Sequence, residues 1–250
     1  MSDVFTQLLR ELEHWDRSGW VPRLWIRDDD AVRDRPELRH LMALCAEQSV
    51  PLCLAVVPGK MEPSLCGAIF DHPPEMVDLL VHGLAHENHE GPDTKKAELG
   101  EARPLAAVAR DTARALDMLG DAFPDRMLPV LVPPWNRVRS DLISLLRGQG
   151  YRAISTFGKA RFENADLVEI NTHIDLIDWR ERCGRSPGDL GAALAVELRS
   201  RRLTDREAPV GLLTHHAVHD ERAWNFLEGL IEAMQGRVTW HSGRDLFNGG

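Results

Sequence analysis

The sequence has only four cysteines, no long apolar run and no excess of positive charge. Cys45, Cys53, Cys66 and Cys183 are scattered without a paired spacing, which excludes a zinc ribbon and leaves them as small core residues or free thiols. No stretch approaches the ~20 apolar residues of a membrane span, the longest lying at 52–57. Lys plus Arg number 30 against 39 Asp plus Glu, a net charge of −9, which argues against nucleic acid or an anionic membrane as partner. Internal repeats and low-complexity tracts are missing too. Residues 1–5 show no basic leader ahead of an apolar block, so the expected location is the cytoplasm.

What is present suits one domain over residues 1–250, large enough to bury a core without disulfide staples. Val4, Leu8, Leu12 and Trp15 recur at helical spacing. Further helices are predicted at 37–48, 105–119, 140–147, 189–200 and 221–234, and one before Asp78. Between them lie short apolar strands at 24–26, 50–57, 79–81, 127–132, 153–156, 167–171, 210–213 and 238–240. This alternation, without a linker, predicts an α/β domain with a parallel sheet, and seven or so strands favour closure into a barrel. The polar stretch 87–104 reads as a loop, its first part solvated rather than a lid.

The chemically suggestive residues sit where strands end: Asp28 to Asp30, His82 and His86, Pro133 to Arg137, and His215 with His216. In an α/β barrel these points share the mouth at the C-terminal ends of the strands. Two imidazoles and one carboxylate form a ligand set that suits Zn²⁺ and leaves a position for water, with Asp30 the obvious carboxylate and His89 a substitute ligand of low weight. Spacing alone does not choose the register among Asp28, Asp29 and Asp30; one ligates and another takes a proton from water. Because prolines carry no N–H, the first backbone donor after the strand at 127–132 is Trp135, stiffened as an oxyanion contact. A histidine closing the strand at 210–213 suits protonation of a leaving group, and both His215 and His216 stand there.

Taken in order, these segments resemble the polysaccharide deacetylase (NodB homology) family, carbohydrate esterase family four. Arg27-Asp28-Asp29-Asp30-Ala31 is similar to its first motif and His82-Gly83-Leu84-Ala85-His86 to its second. Pro133-Pro134-Trp135 is similar to the third, Asp175-Leu176-Ile177-Asp178-Trp179 to the fourth and Leu213-Thr214-His215 to the fifth. The resemblance implies a distorted (β/α) barrel of about seven parallel strands and metal-dependent deacetylation of an N-acetylated carbohydrate. It implies Asp29 as base, Asp30, His82 and His86 as ligands of Zn²⁺ or another divalent ion, His215 as acid and Trp135 as oxyanion donor. Trp179 and Leu213 would line the acetyl pocket, with Asn136, Arg137 and Asp178 on the substrate side.

Two positions depart from the pattern. Val132 stands where the family usually has an arginine that tunes the base, a role open to Arg137 or Arg27 with Asp178 as orienting partner. Gly83 stands where Ser or Thr is common. An active hydrolase is expected because base, ligands and acid are retained. The alternatives are a related barrel hydrolase acting on a non-sugar cyclic amide and a metal- or sugar-binding relative without turnover. With no leader, the expected substrate is a nucleotide-linked or lipid-linked sugar, or a small amidosugar.

Overall fold

A computed structural model describes residues 4–162 and 166–247; of the residues read for a leader, 1–3 lie outside these. The strands are β1 (Arg23–Ala31), β2 (Leu52–Val56), β3 (Val77–Val81), β4 (Met127–Leu131), β5 (Ala153–Ile154), β6 (Val168–Glu169), β7 (Ile174–Asp175), β8 (Ile177–Asp178), β9 (Cys183–Gly184), β10 (Val210–Thr214) and β11 (Thr239–Trp240). The helices are α1 (Thr6–Ser18), α2 (Pro36–Glu47), α3 (Pro63–Phe70), α4 (Leu105–Ala122), α5 (Ser140–Gln149), α6 (Pro187–Thr204), α7 (Glu221–Met234) and α8 (Gly243–Phe247).

The main sheet runs β6-β5-β4-β3-β2-β1-β10-β7, every pairing parallel, with β11 added to β1. Its two end strands, β6 and β7, are neighbours in the chain. Ile170 and Thr172 still donate to Ile154 and Thr156 beside β5, whereas His173 donates to Gly211 of β10. One short segment therefore changes partner halfway along, and the sheet curls until its ends meet. The result is a distorted (β/α) barrel, with its irregularity at this switch. The expected strands at 153–156 and 167–171 are shorter than the sequence suggests for the same reason: each keeps only a two-residue ladder. The β8–β9 ribbon is antiparallel and separate from the barrel, and the sequence did not indicate it.

Strand alternation divides the core. Leu24 and Ile26 of β1, Leu52, Leu54 and Val56 of β2, and Leu79 and Val81 of β3 belong to the large cluster shared with the helices. The alternate residues Trp25, Cys53, Ala55, Leu80, Val130 and Val132 form a second cluster closed by Leu246 and Phe247 of α8. This second cluster plugs the barrel interior. Gly211 is required for it, since a Cβ there would stand 2.6 Å from Trp25 Nε1. By the same alternation Arg27 and Asp29 follow Trp25 on the inner face, towards the mouth.

The expected loop at 87–104 is irregular, and its first part is largely exposed as expected, but its later part turns inward. Ala97, Glu98 and Leu99 are buried, and Leu99 bridges to Val138. Asn88 turns its side-chain oxygen to the N–H groups of Glu90 and Ala97, which ties the loop to itself.

Candidate active site

At the end of β1 the strand pairing with β2 shifts: Asp28 faces Leu54, but Ala31 faces Val56, three steps against two. Asp30 takes up the extra residue with φ of 71°, in the left-handed region where aspartate is among the better tolerated side chains. Simple alternation would send Asp29 and Asp30 to opposite faces. The bulge turns both into one pocket of about 560 Å³, together with His82, His86, Trp135, Asn136, Arg137, Asp175 and His215. Asp28 is left on the other side, where its carboxylate accepts from Thr214 Oγ1, His216 N–H and the His216 ring. Burial raises the Asp28 carboxyl, but the charge and hydrogen bond of His216 outweigh it and hold it below the ordinary range.

Asp30, His82 and His86 bring one ligand atom each to within 4.8 Å of one another. Asp30 Oδ1 lies 3.1 Å from His82 Nε2 and 3.2 Å from His86 Nε2. His82 Nδ1 is 2.9 Å from the Val132 carbonyl, which can only accept, so Nδ1 carries its proton there and Nε2 is the atom presented to the pocket. Burial, followed by the charge of His82, holds His86 down at about 4, leaving a neutral ring with a free lone pair. Burial pushes the Asp30 carboxyl up, but the hydrogen bond and charge of His82 bring it below its usual range. Two imidazole nitrogens and a carboxylate that converge in this way fit a divalent transition metal.

The loop that carries the two histidines is held by Glu98. Its carboxylate is buried and accepts from the N–H of Leu84, Ala85 and His86 at 3.0, 2.8 and 2.9 Å. Gly83 sits at φ of 59°, and a Cβ there would come within 2.4 Å of Glu98 Oε2 and 2.6 Å of Pro134 Cγ. Glycine at this departure from the family pattern is thus what admits the carboxylate. Glu98→Gln would turn an amide N–H₂ towards backbone donors. It is expected to weaken Zn²⁺ affinity about 10–100-fold in a chelator competition titration, as loss of a group that orients ligands generally does. Wild-type affinity in that variant would show that the loop holds itself.

Asp29 is gripped by Arg27. The guanidinium meets its two oxygens at 2.8 and 3.0 Å, and both side chains are buried. Arg27 also donates to Ser155 Oγ, the Thr156 carbonyl and Asn136 Oδ1, so all five of its N–H groups are used. Arg27 therefore stands where the motif arginine is missing, while Val132 packs into the barrel plug. Arg137 does not take that position; it donates to the Lys96 carbonyl at the lip. Asp178 does not orient either arginine. Its side chain accepts from the N–H of Arg180 and Glu181, closing a turn of the β8–β9 ribbon away from the pocket residues. Arg27 and Asp29 are two apart on β1 and so share a face, a spacing visible in the sequence.

Pro133 and Pro134 lead into Trp135 and Asn136, both at φ of 55°. Two successive non-glycine residues in this region store backbone strain. The Asn136 and Arg137 N–H groups close back onto Pro133 and Pro134, whereas the Trp135 N–H has no partner among the described residues. The Trp135 ring lies 4.2 Å from that of His86.

His215 lines the pocket and its Nδ1 is buried without a partner among the described residues, whereas His216 is turned back onto Asp28. Trp179 meets the His215 ring edge-on at 4.6 Å and donates from Nε1 to Asp175 at 2.8 Å. Burial pushes the Asp175 carboxyl up against the pull of His215. Leu213 is buried on β10, two residues before His215 and so on the same face, but does not line the open pocket. Asp175, Phe157 and Arg161 were not singled out from the sequence as site residues, and all three line the cavity. His89 is not part of the metal cluster. A larger groove of about 860 Å³ lies on the outer surface between α2 and α7 and contains none of these groups.

Solved structures of similar fold include polysaccharide and peptidoglycan deacetylases and family 4 carbohydrate esterases. A putative polysaccharide deacetylase from Mycobacterium smegmatis matches with a TM-score of 0.58 and 16% identity over 92% of this chain and 90% of that one. A family 4 acetyl xylan esterase from Clostridium thermocellum, solved with a cobalt ion, matches at 0.56 and 14% over 90% of each chain. The fold is that of the polysaccharide deacetylases. A mutant of a pseudoenzyme of the same family, with restored activity, also shares it, at 0.58 and 13% over 91% of this chain and 68% of that one. No family model and no curated protein matches the sequence. Among the described residues, no helix of this deacetylase fold is long and apolar enough to cross a membrane.

Proposed function

We propose that the protein is a metal-dependent hydrolase that removes the acetyl group from an N-acetylated sugar. The observation that carries this reading is the meeting of the Asp30–His82–His86 cluster with the Arg27–Asp29 pair, the unpartnered Trp135 N–H and His215 in one pocket. When bound, a divalent ion, with Zn²⁺ the first candidate for this donor set, supplies Lewis-acid activation of water and of the acetyl carbonyl.

Asp29 takes the proton of the water that adds to the carbonyl carbon, and Arg27 keeps its carboxylate aimed at that point. The Trp135 N–H donates to the oxygen on which negative charge develops, and the strained turn holds it in place beforehand. His215 gives a proton to the sugar nitrogen as the C–N bond breaks, so acetate and a free amine leave. Trp179 packs against His215 and would shelter the acetyl methyl on that side of the pocket. Residues 1–250 act as one catalytic unit in this reading, in the cytoplasm.

The test is elemental analysis of protein prepared without chelator or affinity-tag metal, alongside a His82→Ala/His86→Ala variant. Near-stoichiometric metal in the wild type that is lost from the variant is expected, with acetate released from amidosugars and no ring opening of cyclic non-sugar amides. Absence of metal after incubation with divalent ions would overturn the reading.

A further inference from the structure

The arginines around the pocket are used very differently. Arg27 spends every N–H inside the protein, and Arg139 is tied to Asp141 and to the carbonyls of Gly100 and Arg103. Arg137 and Arg161, which both line the cavity, each make a single side-chain hydrogen bond among the described residues. Arg137 Nη1 donates to the Lys96 carbonyl at 2.7 Å and Arg161 Nη2 to the Asn136 carbonyl at 3.2 Å, with the Arg161 guanidinium 5.4 Å above the Phe162 ring. Neither forms an ion pair among the described residues. Among the described residues each is left with four N–H donors.

The pocket carboxylates do not call for these charges. Asp29 has Arg27, Asp30 has the two histidines, and Asp175 has Trp179 and the Ile177 N–H. A neutral acetamide would engage the Trp135 N–H and leave two guanidinium groups idle at the lip. Both flank the same turn, Trp135 to Arg137, so they face whatever extends from the acetamide on that side. Planar guanidinium groups with free donors match the oxygens of a phosphate or carboxylate. Exposed Phe157 and Trp179 offer flat apolar faces for a sugar ring.

We propose that Arg137 and Arg161 form an anion subsite, and that the substrate is an acetamido sugar carrying a phosphate or carboxylate on its own ring. The subsite rests on the deacetylase reading for its acetamide, and binding measurements separate the two. Calorimetric titration and acetate release would compare N-acetylglucosamine 1-phosphate, the corresponding uronic acid and the neutral methyl glycoside.

Wild-type protein is expected to bind at least one anionic probe about tenfold or more tightly than the neutral one, consistent with charge-assisted hydrogen bonds. The stronger anion identifies phosphate or carboxylate. The ratio is expected to collapse towards one in Arg137→Gln/Arg161→Gln, and to fall in Arg161→Gln alone, an exposed position whose change leaves the fold intact. Equal binding of charged and neutral probes, a ratio unchanged in the variants, or no binding of any probe overturns the subsite. Anion preference without acetate release would instead overturn the deacetylase reading and keep the subsite.

Discussion

Asp29→Asn is expected to lower acetate release about 10³-fold, within the ~10²–10⁴ span of general acid–base catalysis, while bound metal stays near the wild-type level. The split between turnover and metal content follows from the geometry. Asp29 is not one of the three clustered donors, and its two oxygens are fixed by Arg27 rather than by the histidines. An amide keeps the shape but has no carboxylate to receive a proton. His215→Ala is expected to behave alike, since His215 lines the same pocket and no metal-cluster atom depends on it. Measuring acetate release and metal content on the same preparations checks both. Full turnover in either variant would remove that residue from the mechanism; loss of metal would mean that the cluster is not independent of it.

The second large effect is on stability. Arg27→Leu is expected to cost about 3–5 kcal/mol, because it strands the buried Asp29 carboxylate without its partner. Urea unfolding at neutral pH gives the number. The double variant Arg27→Leu/Asp29→Leu removes both charges and is expected to recover much of that loss, a coupling that a double-mutant cycle reports directly. A cost below about 1 kcal/mol for the single change would mean that water reaches Asp29 and screens it as it would a surface pair. In the proposed mechanism Arg27 would have two duties: to aim Asp29 and to make burial of its carboxylate tolerable.

Several features of the fold were legible because they depend on short-range patterns. Continuous apolar runs at 50–57 and 127–132 became β2 and β4, flanked by helices whose spacing marked them, and α7 spans Glu221–Met234 as its periodicity indicated. The barrel's closure was not legible in detail. It rests on the segment from Val168 to Asp175 dividing its hydrogen bonds between β5 and β10, and nothing local in those residues names two partners.

The site divides in the same manner. The choice of residue types was written in the sequence: a carboxylate run at the end of β1, two histidines four apart after β3, two prolines before Trp135, and a histidine pair after β10. Their number and order determined what chemistry is available, because ligand and acid–base properties belong to the side chains themselves.

Which of them act together was decided only by the tertiary structure. A bulge beside β2 turns Asp30 towards the histidines and leaves Asp28 to His216. Arg27 rather than Arg137 reaches Asp29 because strand alternation and the barrel's inner wall, through Ser155 and Thr156, place it there. Glu98, from a stretch that reads as polar loop, enters beneath Gly83 and orders the turn between His82 and His86. These selections depend on register, backbone sign and contacts between distant segments, which sequence spacing does not encode.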